Sequence, residues 1–476
     1  MLVFLLSVMG GAATVQAKER EIPALTEQEN QIRLYLGQSM TLTDLPEGEI
    51  TVDKEGVVEI SEKYIMTAVG KGAVKVSVET KTGKKTVARV EVVANERLDG
   101  LTFNISTFAG KVVGTRAERL DIPAFEEMTC QWSCETPELA SITEDGVITP
   151  IRAGTAQFLV KVTDNYGGRY EFTIPLAILE PHFEHGKTNL AKGCQMTLSL
   201  QDYSGNPVTY KTMDGSVISL VSSNSSSVII KARKVGTTTV TGSVDGVEFQ
   251  CRVTVTNPKL KTQYGFYQKK KSFKVNVTGL NADSAPIWSS ADVKVGKVNE
   301  KGKVSTVQYG STVIRCKVDG KTLEYYLAVS TKTAVKAMRI GYKKIGKKKY
   351  SQARRMSKNY YDCSSFVYRI YRSAGKTLVR KTKWAPVAAE IGQYYVRKKK
   401  IVKASGVYDE KKLRPGDLVC FGGSSARRNG RYKRIFHIAM YIGNGRTMES
   451  SSTYNNVVIR YRGTLKKKGI PVVARP

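Results

Sequence analysis

Histidine and cysteine are both scarce in this sequence, with three and seven residues in 476. No CxxC pair occurs, and no cysteine and histidine residues share the spacing of a metal site. These absences argue against a structural zinc site and against a disulfide-dense mini-protein. We therefore predict no metal and no cofactor. His182 and His185 have no neighbouring ligand set and are predicted to be surface residues, which leaves His437 for histidine-dependent chemistry.

Long apolar runs are also missing after the N-terminus, so no membrane span is predicted in the mature chain. The first 17 residues carry no charge, and Val15 and Ala17 occupy the minus-three and minus-one positions of a signal-peptidase site. We predict a signal peptide at 1–17 and a secreted protein, extracellular or associated with the cell wall. The alternative is a buried N-terminal strand or short anchor. One departure from a signal peptide is that no Lys or Arg precedes the apolar run.

Acidic residues are rare in the last third of the chain. Residues 331–476 contain 37 basic and 6 acidic residues, whereas the first 330 contain 38 and 36. The excess predicts an anionic partner, and exposed lysines are expected in the runs 343–349, 397–400 and 466–468. Nucleic acid is not the predicted partner, because aromatic residues are not interleaved with these charges.

A glycine that introduces an alternating strand recurs about every 80 residues, at Gly72, Gly154, Gly236 and Gly310. In the first of these strands, Val74, Val76 and Val78 alternate with Lys75 and Ser77, which predicts valines in a core and polar residues in water. The pattern is typical of small β-sandwiches. We predict four modules, at 18–96, 97–180, 181–257 and 258–331.

Two of these modules contain a Trp-Ser pair, Trp132-Ser133 and Trp288-Ser289. Together with the repeat, these pairs make 31–330 resemble bacterial Ig-like group 2 domains, which implies a spacing or wall-binding role. Cys194 and Cys251 could form a disulfide across the third sandwich, whereas Cys130 and Cys134 are only four residues apart. The alternative for these cysteines is free thiols, and the sequence does not determine their disulfide state.

Residues 332–476 are predicted to be a separate domain. Apolar positions 366, 367, 370, 371 and 374 lie on one helical face, which places Cys363 at a helix N-terminus. The helix dipole favours an anion there, so a Cys363 thiolate is the candidate nucleophile. Cys420, between Val419 and Phe421, is predicted to be a core residue.

A second pattern predicts the general base. The turn 443–446 joins a strand that begins at His437 to one that carries Glu449. A hairpin would bring this carboxylate towards the imidazole, where it could accept the Nδ1–H and leave Nε2 for the thiol proton.

Three ordered blocks, DCSS, LRPGDLV and HIAMYIGNG, resemble the NlpC-type cell-wall cysteine peptidases over 334–476. The resemblance implies a papain-like α+β fold that cleaves peptidoglycan peptides, commonly after the γ-carboxyl of D-glutamate. It implies Cys363 as nucleophile, His437 as base and then acid, and Glu449 as third polar residue. Tyr350, with Asp362 and Ser364 beside the nucleophile, is assigned to the oxyanion and substrate lining.

The chain departs from this family at three points. Ser365 stands where glycine is usual, Glu449 stands where histidine is usual, and the block around Tyr350 is offset and lacks a Trp-Gly-Gly. Because glutamate can orient an imidazole and stabilise its cation, we expect activity to survive with an altered pH profile.

The predicted architecture is therefore multidomain, with tandem all-β Ig-like sandwiches followed by an α+β papain-like cysteine peptidase domain. The predicted function is a secreted, monomeric γ-D-glutamyl-diamino acid endopeptidase that binds peptidoglycan and teichoic acids. Three alternatives stay open: an inactive wall-binding adhesin, an N-acetylmuramoyl-L-alanine amidase, and an acyltransferase.

Overall fold

A computed structural model describes residues 30–203, 205–380, 382–424 and 426–476. The predicted signal peptide lies outside the described residues. The chain divides into two compact units: one contains residues up to 181 with the segments 202–207 and 243–248, and the other contains the rest.

The first two modules are built from antiparallel strands of alternating burial, with one parallel pair in each. The strands of the first module are β1 (Asn30–Tyr35), β2 (Ser39–Thr41), β3 (Glu49–Val52), β4 (Val58–Ile60), β5 (Ile65–Ala68), β6 (Gly72–Thr80) and β7 (Gly83–Val93). They form sheets ordered β1-β7-β6-β3 and β2-β5-β4. Those of the second are β8 (Lys111–Val112), β9 (Glu118–Arg119), β10 (Thr129–Cys134), β11 (Ala140–Ile142), β12 (Val147–Pro150), β13 (Gly154–Thr163) and β14 (Arg169–Leu179). They form sheets ordered β10-β13-β14-β8 and β11-β12-β9, with short 3-10 turns at Ile105–Thr107 and Pro123–Phe125.

The next two modules repeat this two-sheet plan. The third contains β15 (His182–Phe183), β16 (Lys187–Ala191), β17 (Gln195–Gln201), β18 (Thr209–Thr212), β19 (Ile218–Asn224), β20 (Ser227–Ala232), β21 (Gly236–Val244) and β22 (Val247–Thr256), in sheets ordered β15-β17-β20-β19 and β16-β22-β21-β18. The fourth contains β23 (Lys259–Leu260), β24 (Tyr264–Tyr267), β25 (Ser272–Lys274), β26 (Val277–Thr278), β27 (Ile287–Ser290), β28 (Gly296–Val298), β29 (Lys303–Thr306), β30 (Gly310–Val318) and β31 (Lys321–Val329). Its main sheets are ordered β24-β31-β30-β27 and β25-β29-β28.

The repeated glycine has a structural reason. Gly72, Gly154, Gly236 and Gly310 all have φ between 143° and 158°, which side chains disfavour, and a Cβ at each would lie 2.9 to 3.4 Å from a Val or Leu side chain. The valine alternation holds for Val74, Val76 and Val78, which are all buried. Ser77 is buried as well, contrary to the prediction, because a register shift between Val76 and Ser77 interrupts the pleat.

The C-terminal domain packs helices against a five-stranded antiparallel sheet. Its elements are α1 (Lys332–Tyr342), β32 (Lys349–Tyr350), β33 (Tyr360–Tyr361), α2 (Cys363–Ser373), α3 (Ala388–Arg397), β34 (Leu418–Phe421), β35 (His437–Gly443), β36 (Arg446–Ser451), β37 (Asn456–Tyr461) and β38 (Val472–Ala474), with a 3-10 turn at Tyr432–Arg434. The sheet order is β37-β36-β35-β34-β38. The predicted fold class, β-sandwiches followed by an α+β papain-like domain, is confirmed.

The C-terminal core extends into the fourth module. Phe266 and Ala328 belong to the same buried cluster as the residues of α1 and α2. The Arg339 guanidinium donates two hydrogen bonds to the Phe266 carbonyl, at 2.7 and 3.0 Å, and the Ser330 hydroxyl donates one to the Pro415 carbonyl at 2.6 Å. The boundaries proposed from the sequence, including the one at 331/332, stay predictions.

All seven cysteines are free thiols in this structure, including Cys194 and Cys251. Cys420 is fully buried in the core, and burial raises the pKa of its thiol far above the ordinary range. Within the described part of the chain, no helix combines the length and apolarity needed to cross a bilayer.

Candidate active site

Helix α2 begins at the candidate nucleophile. Asp362 is its N-cap, with extended backbone, and its carboxylate accepts a hydrogen bond from the Ser365 N–H at 2.7 Å. The Asp362 N–H donates to the Ser365 hydroxyl at 2.9 Å, which completes a capping box. Cys363, the first helical residue, is 7% exposed. Ser365, the departure from the family's glycine, therefore helps to fix the start of the helix that carries Cys363.

Asp362 and Ser364 are held by contacts within the protein. The Asp362 carboxylate forms a buried ion pair with the Arg355 guanidinium at 2.9 Å, and the Ser364 hydroxyl donates to the same carboxylate at 3.2 Å. Arg355 also donates to the carbonyls of Ala385 and Pro386, which ties the loop before α3 to the start of α2. The substrate-lining roles of Asp362 and Ser364 stay predictions.

His437 is the first residue of β35 and pairs with Phe421 of β34. The two rings lie 5.4 Å apart between centroids. Burial alone would lower the pKa of His437, but hydrogen bonds and charge from Cys363 and Glu449 outweigh it and raise the pKa to about 9. At neutral pH the imidazole is therefore protonated when it faces a thiolate, which is the charge state of a thiolate–imidazolium pair.

The structure exchanges the predicted roles of the two imidazole nitrogens. Nε2 of His437, not Nδ1, lies 3.2 Å from a Glu449 carboxylate oxygen, so the predicted Nδ1 contact is wrong. Met440 is opposite Met448 in the hairpin, so Glu449 lies diagonally across from His437 and reaches the far side of the ring. Nδ1 is then the nitrogen left for the Cys363 thiol, which also hydrogen-bonds the imidazole.

Glu449 is completely buried and has a cationic partner that the sequence analysis missed. Arg462, directly after β37, donates to both carboxylate oxygens at 2.5 and 2.6 Å, and Arg460 approaches one of them at 3.5 Å. Burial would raise the pKa of Glu449, but the contacts with His437 and Arg462 hold it at about 2. Glu449 is therefore an anion throughout the working pH range. The signal that could have revealed this pair is that Arg460 and Arg462 alternate around Tyr461, directly after the apolar run 457–459.

Tyr350 lies at the edge of the same site. It pairs with Tyr361 through β32 and β33, immediately before α2. Burial raises the pKa of its phenol, so the side chain keeps its O–H and can donate a hydrogen bond. Its predicted place in the oxyanion site stays a prediction.

Comparisons with known proteins agree with the sequence blocks. The sequence model of the NlpC/P60 family matches residues 347–468. The C-terminal domain resembles this family, and the upstream β-sandwiches resemble Ig-like domains, so the predicted resemblances are confirmed. Among curated proteins, none matches the chain.

Several solved structures are similar to parts of the chain. Domains 4 and 5 of the S-layer protein SbsC share 28% identity over 27% of this chain and 76% of that chain, with a TM-score of 0.15. The P60 domain of an antigen from M. avium subspecies paratuberculosis shares 16% identity over 30% of this chain and 93% of that chain, with a TM-score of 0.21. The peptidoglycan hydrolase RipB from Mycobacterium tuberculosis shares 17% identity over 30% of this chain and 64% of that chain, with a TM-score of 0.20.

Proposed function

We propose that this protein is a secreted peptidoglycan hydrolase, a cysteine peptidase that cleaves between the γ-carboxyl of D-glutamate and the following diamino acid. The observation that carries the proposal is the contact chain from Cys363 through His437 to Glu449, in a domain that the NlpC/P60 family matches. The three groups suit their roles: Cys363 lies at a helix N-terminus, the imidazole is protonated at neutral pH, and the carboxylate behind it is ionised.

The reaction follows from this geometry. The Cys363 thiolate attacks the amide carbonyl, and the backbone N–H groups at the start of α2, with the Tyr350 hydroxyl, bind the oxyanion. The His437 imidazolium gives its Nδ1 proton to the leaving amine, and the acyl-enzyme forms. Water, deprotonated by the now neutral imidazole, then releases the acid and restores the thiolate–imidazolium pair.

The surface charge supports an anionic wall as the place of action. Four of the six acidic side chains in 331–476 are held in ion pairs, namely Asp362, Glu390, Asp417 and Glu449. Most of the 37 basic residues are therefore not neutralised within the domain, and the runs 397–400 and 466–468 are exposed. Teichoic acids and the wall are polyanions, so these runs concentrate the enzyme, as a monomer, at its substrate.

Digestion of purified peptidoglycan by the full chain tests the reaction. Cys363→Ala removes the nucleophile, and Cys194→Ala, at a half-buried thiol of the third module, is the matched control. Muropeptides with a free D-glutamate γ-carboxyl, released by the native chain and the control only, are expected. Intact stem peptides freed from sugar would instead identify an amidase, and release from none of several wall types would favour the inactive adhesin.

Wall binding and export have separate tests. Sedimentation of the Cys363→Ala chain with walls should fall steeply as salt rises, and more weakly with walls stripped of teichoic acid. Substitution of lysines 466–468 by glutamine should reduce binding without changing the fold.

N-terminal sequencing of the exported protein tests the signal peptide and should find Lys18 as the first residue. An uncleaved chain that stays with the membrane would contradict the signal peptide.

A further inference from the structure

The third member of the active site is a buried carboxylate, which creates a charge problem. Glu449 has no solvent-exposed surface, and an ion in such a place is costly unless it is paired. A neutral side chain could orient the imidazole without adding a charge. With Glu449 ionised, the thiolate, the imidazolium and the carboxylate together carry a net charge of minus one.

Arg462 supplies the missing charge through a built contact. Nη2 of its guanidinium donates to both oxygens of Glu449, at 2.5 and 2.6 Å, and its Nε donates to the Thr447 hydroxyl at 3.3 Å. The guanidinium also lies 4.7 Å above the ring of Phe421, whose other neighbour is His437. Only 18% of the Arg462 side chain is exposed. One arginine therefore contacts both the carboxylate and the ring that pack against the imidazole.

The other groups around the site do not duplicate this role. The charged and titratable groups that face the site come from several elements. They are Asp362 and Cys363 at the start of α2, Arg355 in the loop before β33, Tyr350 of β32, Cys420 of β34, Glu449 of β36, Arg460 of β37, and Arg462 directly after β37. Arg355 is engaged by Asp362, and Arg460 reaches Glu449 only at 3.5 Å with 35% of its side chain exposed.

We propose that Arg462 is a positioning residue of the active site, which holds Glu449 by two hydrogen bonds and cancels its charge so that a buried carboxylate can orient His437. The thiolate, imidazolium, carboxylate and guanidinium then sum to zero. Without Arg462, Glu449 would stabilise the imidazolium so strongly that His437 would keep its proton. The positive charge of Arg462 offsets this effect. The inference rests on the proposed function for its effect on turnover, but its effect on His437 exists without substrate.

The first test measures the thiolate–imidazolium pair directly. The full chain is alkylated with iodoacetamide across pH, and modification is quantified at the Cys363 peptide by mass spectrometry. The alkylation rate is expected to change with pH in two steps, and the step at higher pH reports loss of the imidazolium proton. Arg462→Met removes a positive charge that opposes this proton, so the step should move up by about one pH unit. Peptidoglycan turnover should fall about tenfold through kcat, with KM little changed.

The second test asks whether Arg462 acts through Glu449. The shift caused by Arg462→Met should shrink to less than half when measured in a Glu449→Gln background, because the carboxylate that transmits the effect is gone. Equal shifts in both backgrounds, or no shift in either, would overturn the proposal. Arg462→Lys keeps the charge and should return the step close to its native position.

Two controls separate positioning from folding and from the proposed function. Arg233→Met makes the same change at an exposed position of the third module and should leave the profile unchanged. If Arg462→Met unfolds the domain, the Arg462→Lys chain and the Glu449→Gln/Arg462→Met chain, which has no unpaired buried ion, still decide the question. A native two-step alkylation profile without any peptidoglycan cleavage would count against the proposed function and leave the role of Arg462 standing.

Discussion

At the scale of single residues, Glu449 sets the pH range of the site through its contact with His437. The pKa of His437 is raised to about 9 from its usual 6.5, so the imidazolium persists below pH 9 and is lost as the pH rises through that value. Glu449→Gln removes a negative charge that stabilises the imidazolium. The alkaline limb of kcat/KM should therefore move down by about one pH unit or more. The pH profile of peptidoglycan cleavage measures this, with Glu390→Gln, a carboxylate of α3, as control. An unmoved alkaline limb would show that Glu449 does not act on the imidazole.

The buried pair beneath the nucleophile makes a second prediction at this scale. Asp362→Asn keeps an N-cap oxygen for Ser365 but leaves the charge of Arg355 without its partner, where 13% of that side chain is exposed. Breaking such a pair typically costs about 3–5 kcal/mol, whereas a lost cap costs about 1 kcal/mol. Hydrogen exchange of the α2 amides should therefore accelerate markedly in Asp362→Asn. Asp362→Asn/Arg355→Met should recover part of the protection; if it does not, the pair is not what stabilises α2.

The sequence predicted those site residues whose signals lie within a short stretch of chain. Cys363 follows from helical spacing and a helix start, and His437 follows from scarcity and a strand signal. The nitrogen that faces Glu449 could not be predicted, because it depends on the register of β35 against β36. The partnership of Arg462 with Glu449 was missed for the same reason, since it also needs the pairing of β36 with β37.

At the scale of elements, the turn between β35 and β36 packs against β30 of the fourth module. Gly443 has φ +100°, and a Cβ there would lie 2.3 Å from the Ser311 Cβ. The N–H of the next residue, Asn444, donates a hydrogen bond to the Ser311 hydroxyl at 2.9 Å. The glycine thus allows an approach that any side chain would block, close to the strands that carry His437 and Glu449.

Gly443→Ala should therefore destabilise the junction by more than backbone strain alone. Gly430→Ala is the matched control, because Gly430 also has a positive φ, +67°, but a Cβ there would have no neighbour within 4 Å. The control should cost about 1–2 kcal/mol, the strain of a left-handed residue. Thermal unfolding of both full-length variants measures the difference. Equal losses would mean that the contact between Gly443 and Ser311 adds nothing.

At the scale of the whole molecule, the sequence predicted the architecture but assigned the fourth module only a spacing or wall-binding role, separate from the C-terminal domain. The change in composition after 331 is real, yet the hydrophobic cluster does not stop there, since Phe266 and Ala328 belong to it. Local periodicity cannot reveal this, because Phe266 lies in a short strand that looks like any other edge of a sandwich. In the structure the ring of Phe266 packs 5.7 Å from that of Tyr342 in α1.

A chain cut at the compositional boundary should consequently be less stable than one that keeps the fourth module. Residues 332–476 alone would lose Phe266, whose burial contributes about 1.5–3 kcal/mol. They would also lose the Phe266 carbonyl, which accepts from Arg339, and the Ser330 hydroxyl, which donates to the Pro415 carbonyl. Each hydrogen bond contributes about 1 kcal/mol. We expect 258–476 to melt several degrees higher than 332–476 and to bind less of a dye for exposed apolar surface. Removing the third module from 181–476 is the control and should matter less, because the cluster around α1 and α2 contains no residue of that module. If 332–476 melted at the temperature of 258–476, the fourth module would not stabilise the C-terminal domain, and its contacts with that domain would serve orientation instead.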